Sequence, residues 1–168
     1  MTAEDVIAAL GLVPHPEEGG WFVETWREPV AVDAASPATG RRDRHTAIYF
    51  LLTPHTVSAM HKLPGDEVFH HYAGGAVEML LLHPDGRVET RWLGDDLMAG
   101  QRPQIVVPGG VWQGGVLAAG ASWCLLGCTM SPGFAYEDYV HGDIAALVQA
   151  YPEAASEIRA RTYRRGGA

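Results

Sequence analysis

The chain has 168 residues, 47% of them apolar, and a formal net charge of −8. That size and apolar content suffice for a buried core and exclude wholesale disorder. The acidic balance repels phosphate backbones, so no nucleic-acid partner is expected.

No run of side chains approaches the roughly 18 apolar residues that cross a bilayer, so no membrane partner is expected either. The opening residues Met1-Thr2-Ala3-Glu4-Asp5 carry no charged-then-apolar leader, which points to a cytoplasmic protein. Twenty glycines and 11 prolines exceed average usage and favour many tight turns between short strands over a helical bundle.

Residues 2–10 read as a short helix: Thr2 can cap it, Asp5 follows three positions later, Val6, Ile7 and Leu10 share a face, and Gly11 can end it. Residues 21–26 alternate apolar and polar and predict a strand, while 29–44 have no period and predict a loop. From 45 onward apolar runs recur at 46–52, 67–72, 77–82, 88–93, 105–107, 111–117 and 122–129. Turn signals such as Pro84-Asp85-Gly86 separate them, with proline presetting one turn residue and glycine taking positive φ. Strands at this spacing predict a mainly β protein, an antiparallel sandwich or barrel.

Asp143 to Arg161 returns to a helical pattern, with Asp143 as cap and Pro152 opening a second helix. Arg159, Arg161, Arg164 and Arg165 make a basic tail, expected to be solvated. The expected organisation is one domain over 1–168, with a barrel at about 45–134, a helix and strand at 2–26, and helices at about 143–162. Cys124 and Cys128 would share a strand face roughly 13 Å apart. That is too far for a disulfide, and both are expected as reduced, buried thiols.

Two segments concentrate side chains that a plain β core does not need. The first runs from Ser58 to Gly74 and holds His61, Glu67, His70, His71 and Tyr72; the second runs from Gly100 to Gln113 and holds Gln104, Trp112 and Gln113. Imidazole and carboxylate at neighbouring strand ends can converge on a cation or on a substrate oxygen. Strand alternation puts Glu67, Phe69 and His71 on one face and Val68, His70 and Tyr72 on the other, so either His70 or His71 is the inward histidine, depending on a bulge.

The ordered set of these stretches resembles the cupin superfamily of double-sheet jelly rolls. His61, Glu67 and Gly74 fall on the first histidine, the glutamate and the closing glycine of the superfamily's first motif. Pro108, Gly110 and Gln113 fall on the proline, glycine and histidine of its second. Within the superfamily the chain is similar to a branch of mostly unassigned bacterial and fungal cupins described as predicted sugar epimerases, through Glu18-Gly19-Gly20-Trp21-Phe22, Thr46-Ala47-Ile48-Tyr49-Phe50, Gln104-Ile105-Val106-Val107-Pro108 and Gly127-Cys128-Thr129-Met130-Ser131-Pro132-Gly133-Phe134.

The resemblance implies a jelly roll with short helices at both termini and a small polar, carbohydrate-like ligand in the barrel; a homodimer is expected because many strands leave sheet edges to be covered and the strand at 21–26 could pair across subunits. The resemblance also implies acid–base isomerisation by His61, Glu67 and His70, with Gln104, His71, Tyr72, Trp112 and Gln113 as ligand-binding residues. The alternatives are a binding protein without turnover and a divalent-metal enzyme. Leu63 stands where metal-binding cupins carry a second histidine, Gln113 where they carry the last, and the chain contains no asparagine to close the second motif. No cofactor is therefore required, and any metal, held by His61, Glu67 and His70, would be weak and sub-stoichiometric.

Overall fold

The computed structural model describes residues 1–29 and 43–162. Two antiparallel sheets face each other. The six-stranded sheet has the order β1 (Val13–Pro14), β2 (Trp21–Glu28), β3 (His45–Leu52), β10 (Cys124–Met130), β5 (Glu67–Gly74) and β8 (Gln104–Val107). The five-stranded sheet has the order β11 (Val140–His141), β4 (Val57–Lys62), β9 (Trp112–Leu117), β6 (Val77–Leu82) and β7 (Val88–Leu93). Helix α1 (Ala3–Leu10) precedes the sheets, and α2 (Ile144–Ala150) and α3 (Ala155–Ala160) follow them. The mainly β architecture expected from strand and turn spacing, and the jelly roll implied by the resemblance, are what is found.

Most elements match the pattern that predicts them. Thr2 and Asp5 form a reciprocal capping box on α1, and Gly11 ends it at φ 65°, in the left-handed region. Asp143 caps α2, and Pro152 starts a 3₁₀ turn that leads into α3. The expected loop at 29–44 lies almost wholly outside the described residues, as do Arg164 and Arg165. Arg161 is not solvated: it is 1% exposed. Its guanidinium donates to the carbonyls of Gly114, Glu157 and Glu78 and to the Glu78 carboxylate, fastening the end of α3 to β6 and β9.

Strand β4 has no counterpart among the predicted strands, because its pairing with β9 is interrupted. Ser58 sits opposite Gly115 and His61 opposite Gln113, so two residues, Ala59 and Met60, oppose Gly114 alone. This bulge breaks the period of two that a strand is read by. It turns Ser58 and His61 to the inner face, while Met60 packs outward against α2 and α3 with Leu80, Leu82, Leu147 and Ile158.

The core between the sheets is built by every second residue. Phe50 and Leu52 of β3, Cys124 and Leu126 of β10, and Phe69 of β5 meet Val77, Met79 and Leu81 of β6. Both cysteines are free and buried in this layer. Helix α1 covers part of the outer face of the six-stranded sheet through Ala3 and Val6, which with Leu12 just beyond the helix pack against Leu51.

Candidate functional site

Following the inward positions toward one end of the sandwich, the apolar core gives way to a cavity of about 270 Å³. On β3 the sequence passes from Leu52 and Phe50 to Ile48 and Thr46. On β10 it passes from Leu126 to Cys128 and Met130, and on β5 from Phe69 to Glu67. Ile48, Thr46, Cys128, Met130 and Glu67 all line the cavity, together with His61 at the far end of β4.

A second bulge completes the wall. Glu24 pairs with Ile48 but Trp26 already pairs with Ala47, so Thr25 is the extra residue in β2. Simple alternation after Phe22 and Glu24 would point Trp26 inward. The bulge points Arg27 inward instead, opposite Thr46, and leaves Trp26 outside, stacked on His45. Arg27 makes a bidentate pair with Glu24 and also donates to Asp43 and to the carbonyl of Phe134. The hydrogen bonds it donates to Glu24 and Asp43 push its pKa up. The last of its contacts ties down the segment from Phe134 to Tyr139, whose aromatic rings form the remaining wall.

The deepest group is a set of two carboxylates and two imidazoles. His61 is 2% exposed and its Nδ1 donates to the carbonyl of Ala59 at 2.8 Å. Its Nε2 lies 4.0 Å from Glu67 Oε2, and its ring stacks on Tyr139 with centroids 5.1 Å apart. Burial opposes a charge on this ring, but Glu18 and Glu67 together outweigh it and raise the pKa to about 9. His61 is therefore an imidazolium at neutral pH.

His15 goes the other way. Its Nδ1 accepts the backbone N–H groups of Glu17 and Glu18, so the proton of the neutral ring sits on Nε2, and burial holds the pKa below its ordinary value. Two histidines in one cavity thus carry opposite protonation preferences, the pattern that separates acid and base roles. Glu18 accepts from the Ser58 hydroxyl, and its own carbonyl accepts the Ala59 N–H. Burial, followed by Glu67 and Glu18, pushes the Cys128 thiol well up, so it stays protonated and is no nucleophile.

Of the residues expected at the site, His61 and Glu67 line the cavity, while Gln113 does not and meets Glu67 from the apolar core behind it. Gln113 reaches across from β9 and donates Nε2 to Glu67 Oε2 at 2.7 Å. The other five do not reach the cavity. His70 points to the outer face of β5, where Nε2 donates to Thr129 Oγ1 at 2.9 Å and Nδ1 accepts from Gln104 at 3.3 Å. Gln104 is therefore outside as well. His71 lies about 13 Å along the strand from Glu67, at roughly 3.3 Å per residue, and bonds the carbonyl of Gly75.

Tyr72, the extra residue of a bulge between β5 and β10, is half exposed and stacks on His70. Trp112 packs on the outer face of the five-stranded sheet beside α2 and α3, under the Lys62 ammonium. A strict period of two already assigns His70 outward, and no bulge lies between it and Glu67 to reverse that.

His15, Glu18, Arg27, Tyr136 and Tyr139 line the cavity without having been singled out by the sequence. Glu18 does stand in one of the matching stretches, the Glu18–Phe22 block, and that was the available signal. The donor set is short for a resident metal. Gln113 offers an N–H to Glu67, Leu63 lines the wall, and His70 is on the opposite face. Among the described residues no group of three or more His, Cys, Asp or Glu side chains is placed to hold a metal ion.

Two facing antiparallel sheets with polar side chains gathered between them at one end are the arrangement of a cupin. The chain matches the family described as Cupin superfamily (DUF985) across residues 4–141 and belongs to it. The uncharacterized protein YML079W of Saccharomyces cerevisiae is 32% identical over 161 residues, spanning 88% of this chain and 79% of that protein.

The crystal structure of protein SO0799 from Shewanella oneidensis superposes with a TM-score of 0.86 at 34% identity, covering 97% of this chain and 98% of the other. A hypothetical protein from Leishmania major gives 0.86 at 32% identity, covering 98% and 100%. Bacillus subtilis oxalate decarboxylase gives 0.56 at 12% identity, covering 92% of this chain and 38% of that one, a likeness of fold alone. Among the described residues no helix is long and apolar enough to cross a membrane.

Proposed function

We propose that the cavity binds a small polar, carbohydrate-like metabolite and that His61 with Glu67 moves a proton on it, an isomerase or epimerase reaction. The observation that carries this reading is the buried His61–Glu67 pair inside a cavity walled by Phe22, Ile48, Phe134 and Tyr136. Small-molecule sites combine such apolar walls with a few convergent polar groups. A carboxylate takes the proton from the carbon beside a carbonyl, the imidazolium of His61 protonates the carbonyl oxygen, and reversal on the other carbon or face completes the isomerisation. No electrons leave the substrate, so no redox partner is needed.

The expected experiment is deuterium incorporation from D₂O into small aldoses and ketoses, followed by NMR. Exchange should be lost in Glu67→Gln and His61→Gln. Binding without exchange would favour the second reading, a binding protein. That reading is supported by Glu67 Oε2, which already receives the Gln113 amide.

No metal takes part in this proposal, because His61 and Glu67 alone are a poor donor set. Elemental analysis giving about one metal per chain would overturn that part. Assembly as a homodimer belongs to the same reading. Beyond Phe22, β2 has only β3 beside it among the described strands, leaving backbone groups for a second copy. Light scattering should return about twice 18.1 kDa.

A further inference from the structure

We propose that the deep end of the cavity takes the part of its ligand that bears proton donors and no negative charge, a set of hydroxyls or a protonated amine, and turns away a carboxylate or phosphate. This rests on the reading of the cavity as a ligand site.

The acceptors come first. Glu18 and Glu67 face the deep end, and each carboxylate offers roughly four lone-pair positions. Ser58 takes one at Glu18, while Gln113 and His61 approach Glu67, so acceptor capacity remains at the floor. Glu24 adds a third carboxylate at the wall.

The cations already face carboxylates of the protein itself. Among the described residues those lining the cavity are Arg27 and His61. Arg27 makes four hydrogen bonds, two to Glu24 and one each to Asp43 and the Phe134 carbonyl. His61 gives Nδ1–H to Ala59 and covers its ring face with Tyr139, while its Nε2 lies 4.0 Å from Glu67 Oε2, an ion-pair separation longer than a hydrogen bond. An incoming carboxylate would meet the buried Glu67 and the part-buried Glu18, with Arg27 saturated and a single imidazolium shared with both carboxylates, and a poorly paired charge in such a site is costly.

Three groups respond to this excess. Glu18 and Glu67 raise His61 against its burial, and they add to the effect of burial on Cys128. Burial and then Glu17, Glu24 and Glu18 raise Tyr136. The aromatic rings of Phe22, Tyr136 and Tyr139 add faces that attract a cation and stack on a sugar ring.

The test is a titration of uniformly ¹⁵N-labelled protein with erythritol, ethanolamine and malonate at constant ionic strength, reading amide shifts of Thr46, Glu67 and Cys128. Saturable shifts are expected with erythritol or ethanolamine, at least about tenfold tighter than with malonate, since juxtaposed like charges oppose its entry. In Glu18→Gln the preference should narrow, with malonate gaining and ethanolamine losing. Malonate binding as tightly as the other two would overturn the charge assignment while leaving the cavity a ligand site. Absence of saturable shifts with all three would overturn the ligand site itself, and this inference with it.

Discussion

Gln113 on β9 and Glu67 on β5 are joined across the two sheets by a 2.7 Å hydrogen bond, in which the amide Nε2 donates to Oε2. Both side chains are buried, at 2% and 7% exposure. Among the described residues the amide oxygen of Gln113 has no partner, so the bond orders the pair without satisfying it completely. It fixes the carboxylate that faces His61. Replacing Gln113 by Leu removes a donor from a buried carboxylate. The expected cost is about 1–3 kcal/mol of stability, measured by urea denaturation, with His61 ring shifts in NMR reporting the displaced Glu67.

The charge on His61 gives a pH dependence of definite sign. Its pKa rises from an ordinary 6.5 to about 9 in the folded chain. The stabilisation is therefore fully present below pH 6.5 and is lost as pH climbs through about 9. The groups facing the ring are Glu18, Glu67, His15 and Tyr139. Urea unfolding across that window should show wild-type stability falling, with a flatter profile for His61→Gln. Equal slopes in the two proteins would contradict the ion pair.

Gly20 closes the loop that carries His15 and Glu18 to the cavity. It has φ 70°, and a Cβ there would lie 2.8 Å from Phe50 Cζ and 2.9 Å from the Leu51 carbonyl oxygen. Gly20→Ala combines left-handed backbone strain with a clash against β3. It should cost more than about 1 kcal/mol and, because the loop must shift, also weaken binding in the ligand titrations.

Arg161 is the opposite of a solvated tail residue. Truncation to Ala would leave the Gly114 carbonyl and the Glu78 carboxylate without their donor and unfasten α3. A loss of about 3 kcal/mol is expected, discounted from the upper range because Glu78 is 29% exposed. Thermal denaturation measures the loss, and hydrogen exchange should localise it to α2 and α3.

The mainly β, antiparallel architecture was readable from the chain because its signals are local: apolar runs on β3, β5, β6 and β7, the Pro84-Asp85-Gly86 turn, and the caps Thr2 and Asp143. Each needs only a period or a turn residue. His61, Glu67 and Gln113 were readable as a set through their matches to the cupin motifs. What lies around them was decided in three dimensions. A bulge at Ala59–Met60 hides β4 from a period of two and still turns His61 inward, and a bulge at Thr25 exchanges Trp26 for Arg27 at the wall. His15, Glu18 and Tyr139 join them from loops and from a segment more than 100 residues distant along the chain, as the Tyr139 hydroxyl on the Glu17 carbonyl illustrates. His70 and Gln104, by contrast, carry site-like chemistry but pair with each other on the outer face. Residue type and spacing determine which side chains a strand can offer; one extra residue in its pairing decides which of them face the cavity, because every position beyond a bulge changes sides.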